Sequence, residues 1–335
     1  MSSKYGKGSI VNVLICGGAG YIGTHMLKML ALRGYETTVF DNLSTGHRAA
    51  VRWGRFVEGN ILDREALDRL FVSQHIDVVM HFCALSQVGE SVRDPYTYYQ
   101  NNVTGTVTLL EAMRAADVNK LVFSSTAAVY GVPVNEGLLS ESHPTNPINP
   151  YGASKLMVER VLEDASRAYG LRSVILRYFN AAGADSEGDI GESHLPETHL
   201  IPNVLRVAQG IGEPLKVFGN DYVTRDGTCI RDYVHVTDLA QAHFQAMRFL
   251  ESNEGTHCFN LGSGKGHTVM EVIAAAREIT GQPIEFVRAP RRAGDPPALV
   301  ADIRRAIEVL DWRPEFEDVR SIIETAWRWH RAPHY

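Results

Sequence analysis

The sequence predicts an α/β protein, a doubly wound parallel sheet followed by a smaller α+β unit. Three observations carry this. Short apolar runs, most of them rich in Val, Ile and Phe, recur at 11–16, 37–41, 77–82, 121–125 and 173–177. They are unbroken rather than alternating, as strands covered on both faces of a parallel sheet are. Stretches with apolar residues at helical spacing separate them, at 20–33, 63–73, 98–115 and 150–169.

Taken in order, the run at 11–16 stops at Gly17 and Gly18 and leads through a turn into a helix. The run at 37–41 ends on Asp41, and the run at 121–125 leads into Thr126. The helix at 150–169 opens with Asn149-Pro150, which puts proline in its first turn. From Asn180 the texture changes. Residues 181–199 hold Gly, Asp, Glu, Ser and His with little periodicity and read as a loop. Helix-like stretches follow at about 201–210, 237–252, 268–280 and 318–330, with short strands between. The 335 residues suggest about two domains. We place them at 1–180 and 181–335, with 237–252 able to pack back on the first.

Hydrophobic residues make up 44% and charged residues 21%, which excludes a disordered or collagen-like chain. The net charge is −6, so no basic excess drives binding to nucleic acid. Cys16, Cys83, Cys229 and Cys258 are far apart and form no C-x-x-C pair, which fits a reducing compartment and no zinc ribbon. The polar lead before residue 10 and the short run after it do not make a signal peptide. No apolar run approaches the roughly 18 residues of a membrane span. These features predict a cytoplasmic protein with a frayed lead.

Gly17, Gly20 and Gly23 form G-x-x-G-x-x-G between the first strand and its helix. Such a turn lets backbone N–H groups and a helix N-terminus face a pyrophosphate, where a side chain would hold the phosphates away. Asp41 ends the next strand, where a carboxylate can bond a ribose 2′-hydroxyl and would repel a 2′-phosphate. The context predicts an NAD site rather than a plain tight turn. Tyr151 and Lys155 stand at i and i+4, a turn apart on one helix face. A free tyrosine, with a pKa near 10, is a poor base at neutral pH. A nearby ammonium and a cationic nicotinamide favour the phenolate. Tyr151 could then take a proton from a sugar hydroxyl, with Thr126 holding the same oxygen.

Nine motifs stand in order along the chain: GGAGYIGTH at 17–25, DNLSTG at 41–46, VGES at 88–91, NNVTGT at 101–106, SSTAAVYG at 124–131, YGASK at 151–155, RYFN at 177–180, RDYVHVTDLA at 231–240 and APRRAGDPP at 289–297. In these the sequence resembles the extended short-chain dehydrogenase/reductase family, and within it the enzymes acting on nucleotide sugars, over about 11–330. The resemblance implies a Rossmann-like NAD domain, a UDP-sugar domain and 4-epimerisation of a UDP-hexose. In that reaction C4 is oxidised to a ketone, and hydride returns to the opposite face. It also implies a homodimer through helices near 98–115 and 150–169.

By the same resemblance, Thr126, Tyr151 and Lys155 match the catalytic set. Gly17, Gly20, Tyr21, Ile22, Gly23, Asp41, Asn42, Asn60, Ile61, Phe82, Ala84, Asn101, Lys155 and Tyr178 match cofactor positions. Thr126, Tyr151, Phe179, Asn180, His199, Leu200, Lys216, Phe218, Arg231, Tyr233, Arg292, Asp295 and Leu299 match substrate positions. Chemistry supports several of these. Arg231 and Arg292 offer guanidinium forks to a diphosphate, and Phe218 offers a flat wall to uracil.

The sequence departs from the family at a few places. Thr126 stands where many members have serine, and its hydroxyl keeps the role in preference to Ser125. Asn60 replaces a frequent aspartate, Ser86 replaces a lysine of some members, and His199 replaces an asparagine. Leu299 replaces a tyrosine that walls the sugar pocket, which predicts some tolerance of an N-acetyl group at C2. Glu192, His194, Glu197 and His199 fall within one short stretch, which reads as loop and not as a metal site. Trp312, Trp327 and Trp329 read as packing residues. By the same resemblance, 4-epimerisation of another nucleotide sugar (UDP-GlcNAc or UDP-GalNAc, UDP-glucuronate or a UDP-pentose) stays open, and two further functions compete. A 4,6-dehydratase needs acids after the strand-end hydroxyl, where Ala127 and Ala128 stand. An inert NAD sensor would usually lack Tyr151 or Lys155.

Overall fold

The computed structural model describes residues 11–292 and 295–335. The lead expected to fray, and Ala293 and Gly294 of the 289–297 motif, lie outside the described residues. The strands are β1 Asn12–Cys16, β2 Glu36–Asp41, β3 Arg55–Glu58, β4 Val78–His81, β5 Lys120–Thr126, β6 Arg172–Tyr178, β7 Asn180–Ala182, β8 Leu215–Phe218, β9 Ile230–His235, β10 Thr256–Leu261, β11 Gly266–Thr268, β12 Phe286–Ala289 and β13 Ala298–Leu299. The α-helices are α1 Tyr21–Leu32, α2 Arg64–Ser73, α3 Val88–Arg93, α4 Pro95–Tyr98, α5 Gly105–Ala115, α6 Pro150–Tyr169, α7 Leu200–Ala208, α8 Val236–Phe249, α9 Val269–Thr280, α10 Arg304–Leu310 and α11 Val319–Arg331.

Seven parallel strands form the main sheet in the order β10-β6-β5-β4-β1-β2-β3. The strand order reverses between β1 and β4, and ligands of such sheets sit at that switch point, outside the carboxyl ends. Each face is covered. Val13 and Ile15 of β1 pack into one core with Leu27 and Leu30 of α1 and Ala242 and Ala246 of α8. Leu14 and Cys16 point the other way, into a core with Leu67, Leu109, Val158 and Leu162. The alternation of side chains along a strand explains why the run at 11–16 is apolar throughout.

Helix α6 spans the bounds read from the sequence, and its caps show why. The Asn149 side chain accepts from the Gly152 N–H at 2.9 Å, Pro150 occupies the first turn, and Gly170 ends the helix at φ 75°. Below its first turns lies a buried ion pair. Arg177 of β6 grips both carboxylate oxygens of Glu159, and Ser125 donates to the same carboxylate at 2.5 Å. Ser125 is thereby committed away from any ligand.

A second region packs α7, α9 and α11 around small sheets. There β9 pairs with β7, β11 and β13, and β8 pairs with β12. Some elements differ from the sequence reading. Strand β10 joins the first sheet as its edge strand, while α8 packs back on α1 as expected for 237–252. Thr256, His257 and Asn260 hide β10 from an apolar-run criterion. The edge strand β3 was hidden in the same way, by its terminal charges Arg55 and Glu58. The helix expected over 98–115 is not uniform, since Tyr99–Thr104 forms a wider π turn before α5.

Candidate active site

The glycine turn lies at the carboxyl end of β1. Gly17 has φ +84°, and a Cβ there would sit 2.5 Å from the Cys83 backbone nitrogen. A Cβ on Gly23 would meet the Gly17 carbonyl at 2.3 Å, so the α1 start lies directly against the turn. At Gly20 the nearest neighbour of a Cβ would be 3.4 Å away. That Cβ would fill the open cradle in front of the helix, whose first N–H groups have no partner within α1. Asp41 is buried, and its two oxygens accept from the Ala19 and Leu43 N–H groups at 2.9 and 2.8 Å. Burial pushes its carboxyl above the usual value against the pull of those two bonds.

The other cofactor candidates ring the same edge. Tyr21 opens α1 beside Ile22, and its phenol is engaged with the Gly183 carbonyl at 2.6 Å, which leaves the backbone to face a ligand. Asn42 follows β2, and its amide oxygen accepts from Ser44 N–H. Asn60 turns the chain after β3 by accepting from Leu62 N–H, beside buried Ile61. Phe82 and Ala84 follow β4, Asn101 lies in the π turn, and Tyr178 ends β6. The structure therefore brings these residues to the strand ends around the switch point. Glycine backbone, helix start and a buried carboxylate fit a dinucleotide.

Thr126 at the end of β5 and Tyr151 in the first turn of α6 are both buried, and the segments that carry them touch, since a Cβ on Gly152 would sit 2.6 Å from the Ala128 carbonyl. Lys155 is buried one turn along α6, its ammonium 2.7 Å from the Ser124 carbonyl and 4.8 Å from the Phe123 ring centre. Burial pulls Lys155 down to about 8, against the attraction of Cys83 and Glu159. Burial also pushes the Tyr151 phenol up, with Thr126 opposing.

A cleft of about 1120 Å³ opens beside this corner. Asn180, His199, Leu200, Lys216, Phe218, Arg231, Tyr233, Arg292, Asp295 and Leu299 all line it, as do Ala127 and Ala128, directly after Thr126. Phe179 is buried next to Asn180. The Asn180 amide donates to the Asp232 carbonyl at 2.8 Å. Arg231 is not free, because it is ion-paired to Asp295 and donates to the Pro296 carbonyl. The Arg292 guanidinium lies 4.1 Å over the Phe218 ring.

The stretch read as plain loop holds a built charge cluster. His194 and His199 meet the buried Glu192 and Glu197, and the ligand-capable atoms of all four lie within 4.8 Å of one another. Burial opposes charge on the imidazoles, but the two carboxylates outweigh it and raise His194 to about 9 and His199 to about 10. The ion-paired histidines hold Glu192 and Glu197 below the usual carboxylate range despite burial.

The sequence reading passed over three residues. Asn102 is buried, binds both backbone groups of Leu85 and reaches Ser154, so it clamps the loop after β4 to α6. Its place beside Asn101 was the available signal. Ser124 carries Lys155 on its carbonyl, and the hydroxyl run at 124–126 pointed there. His243 reaches the Ser124 hydroxyl from α8, and no local pattern marked it.

Fold and site together define a dinucleotide-binding α/β protein whose phenol and hydroxyl stand beside a ligand cleft. Residues 13–262 match the NAD dependent epimerase/dehydratase family, and the chain belongs to it. It is 51% identical over 323 residues to a UDP-glucose 4-epimerase of Halalkalibacterium halodurans, covering 96% of each chain. It is similar to the crystal structure of UDP-glucose 4-epimerase from Brucella ovis in complex with NAD. The TM-score there is 0.92 at 50% identity, covering 95% of this chain and 97% of that one. The enzyme from Bifidobacterium longum in complex with NAD+ and UDP also superimposes, with a TM-score of 0.92 at 37% identity, covering 96% of this chain and 99% of that one.

The charge cluster makes stability depend on pH. Its histidines titrate higher folded than unfolded, so their contribution is complete below about 6.5 and is lost as pH rises through about 9 to 10. Its carboxylates titrate lower, so theirs is lost as pH falls below the unfolded value near 4.5. Thermal melts from pH 7 to 10 should show a falling midpoint that flattens in the His194→Gln/His199→Gln variant. An equally steep fall in that variant would refute this.

Proposed function

We propose that the chain interconverts the C4 epimers of a UDP-hexose, UDP-glucose and UDP-galactose, with NAD as its bound cofactor. One observation carries this reading: buried Thr126 ends β5 on the same strand-end edge as the glycine turn, buried Tyr151 opens α6, and Ala127 and Ala128, directly after Thr126, line the cleft. NAD, when bound, supplies reversible hydride acceptance at C4. Tyr151 takes the proton of the 4-hydroxyl and later returns it, while Thr126 holds that oxygen. Lys155 keeps positive charge beside the phenol. The cofactor rests on Gly17, Gly20, Gly23 and the α1 start, with Asp41 at the adenosine ribose. Arg231 and Arg292 hold the diphosphate, Phe218 the uracil, and Asp295 the uridine ribose. The sugar then turns over in the cleft while its UDP stays anchored.

A 4,6-dehydratase is disfavoured, because Ala127 and Ala128 line the cleft where that chemistry needs an acid and a base. Residence in the cytoplasm fits the four free thiols. A homodimer through α5 and α6 fits Met157, an apolar side chain 48% exposed on α6. Light scattering should then give twice the chain mass, and a monomeric mass at micromolar concentration would end that reading.

Tyr151→Phe removes the base and should leave NAD bound while turnover, followed by NMR of the two UDP-hexoses, drops by about 10²- to 10⁴-fold. Unchanged turnover would mean that another group acts. Leu299 lines the cleft and is half-buried, which leaves more room than a tyrosine. The chain should therefore turn over UDP-GlcNAc as well as UDP-galactose, and Leu299→Tyr should suppress the acetylated substrate selectively. No detectable turnover of UDP-GlcNAc by the unmodified chain would refute the role of Leu299.

A further inference from the structure

The loop between β7 and α7 carries Glu192, His194, Glu197 and His199, and other parts of the chain hold it in shape. The Glu192 carbonyl accepts from the Trp329 indole of α11 at 2.9 Å. Both backbone groups of Gly191 bond the Tyr335 phenol, and a Cβ on Gly191 would lie 2.3 Å from the Trp329 ring. Asn203 of α7 donates to the Glu197 and His199 carbonyls at 3.3 and 2.8 Å.

On this framework the four side chains converge. Each imidazole turns its Nδ1 inward. His199 Nδ1 is 2.8 Å from Oε1 of Glu192 and 2.8 Å from Oε1 of Glu197. His194 Nδ1 is 3.2 Å from Oε1 of Glu192 and 3.6 Å from Oε2 of Glu197. A tetrahedral ion with ligands at about 2.0–2.1 Å sets its donors roughly 3.3 Å apart. The observed separations, 2.8 to 3.6 Å, bracket that edge.

Ion pairing alone does not account for His194. Its Nδ1 is buried with two carboxylates within 3.6 Å, yet among the described residues it makes no hydrogen bond. A ring N–H that serves an ion pair points at one oxygen. This nitrogen is aimed at neither, as a lone pair is when it faces an ion that the oxygens share. The carboxylates are nearly closed to solvent, with side chains 4% and 5% exposed.

We propose that Glu192, His194, Glu197 and His199 form a site for one divalent transition-metal ion, of which zinc fits best. Two imidazoles and two carboxylates suit zinc, whereas calcium and magnesium take six or more donors, nearly all oxygen. The two carboxylates balance the charge of the ion while both imidazoles stay neutral. The ion pairs described above are then the metal-free form of the cluster, in which protons stand in for the metal. Four protein donors leave no open position, so the ion is structural. It staples the loop to the start of α7, where His199 and Leu200 line the cleft. With Nδ1 on the ion, His199 keeps its Nε2 edge for a ligand. Metal binding here does not depend on the function proposed above.

The test uses the full chain, prepared without metal-affinity resin and stripped with a chelator. Cobalt(II), a spectroscopic substitute for zinc, should bind at one ion per chain and give the intense visible bands of four-coordinate cobalt. An equivalent of zinc should bleach them, and magnesium or calcium should not. Zinc should also raise the thermal midpoint of the stripped chain at neutral pH. His194→Gln and, separately, His199→Gln should abolish that rise. Each should weaken zinc binding by more than the roughly 10- to 100-fold that loss of a supporting contact costs. A pale six-coordinate cobalt spectrum, or no ion retained through gel filtration, would overturn the proposal. So would a zinc affinity unchanged in both variants, which would mark adventitious binding by surface histidines. If the variants do not fold, the cobalt spectrum of the unmodified chain decides.

Discussion

The hydrogen bond from the Lys155 ammonium to the Ser124 carbonyl fixes the register of α6 on β5, and the rest of the site is arranged around it. A buried ammonium is costly unless it is compensated. The carbonyl, the Phe123 ring and the nearby Glu159 each contribute. Glu159 is already gripped by Arg177, so one net positive charge remains beneath the end of β5. That excess is available to an anion forming at Tyr151. It does not by itself ionise the phenol, because Tyr151 resists burial of charge just as Lys155 does. The further positive charge that would tip the balance is that of an oxidised nicotinamide, which ties the base's strength to the cofactor's redox state.

The glycines serve the same end by a different route. Gly17 and Gly23 let two stretches of backbone touch, and that contact sets where α1 points. Gly20 leaves room in front of the helix. Side chains on β1 alternate between two cores, so the strand cannot slip without exposing one of them. A rigid sheet thus delivers the cradle, Asp41, Thr126 and Tyr178 to a common edge from strands far apart in sequence.

Most of the main sheet was legible because strands buried on both faces must be apolar throughout. What escaped notice was structure whose stability comes from elsewhere. Strand β10 carries His257 and Asn260, and Asn260 is satisfied by Tyr130, Glu141 and Leu139 rather than by a pattern of its own. Tyr151, Lys155 and Thr126 were legible because helical spacing and a strand end place them. His243 was not, since its significance lies in a contact across 119 positions of sequence. The Glu192–His199 cluster escaped for a related reason: four polar residues in a loop look solvated until the fold buries two of the carboxylates.

The cleft adds an electrostatic argument that residue identity alone does not reveal. Arg231 and Asp295 were assigned to different parts of one ligand, yet they are paired with each other, and Arg292 is stacked on Phe218. On the proposed assignment, a diphosphate entering the cleft would exchange partners with groups already satisfied. Exchange of this kind would yield less net affinity than capture by bare guanidinium groups, because the Arg231–Asp295 attraction would be given up. It would also free the Asp295 carboxylate, and a freed acceptor is what a ribose hydroxyl requires, so that recognition of the nucleotide's two halves would be coupled.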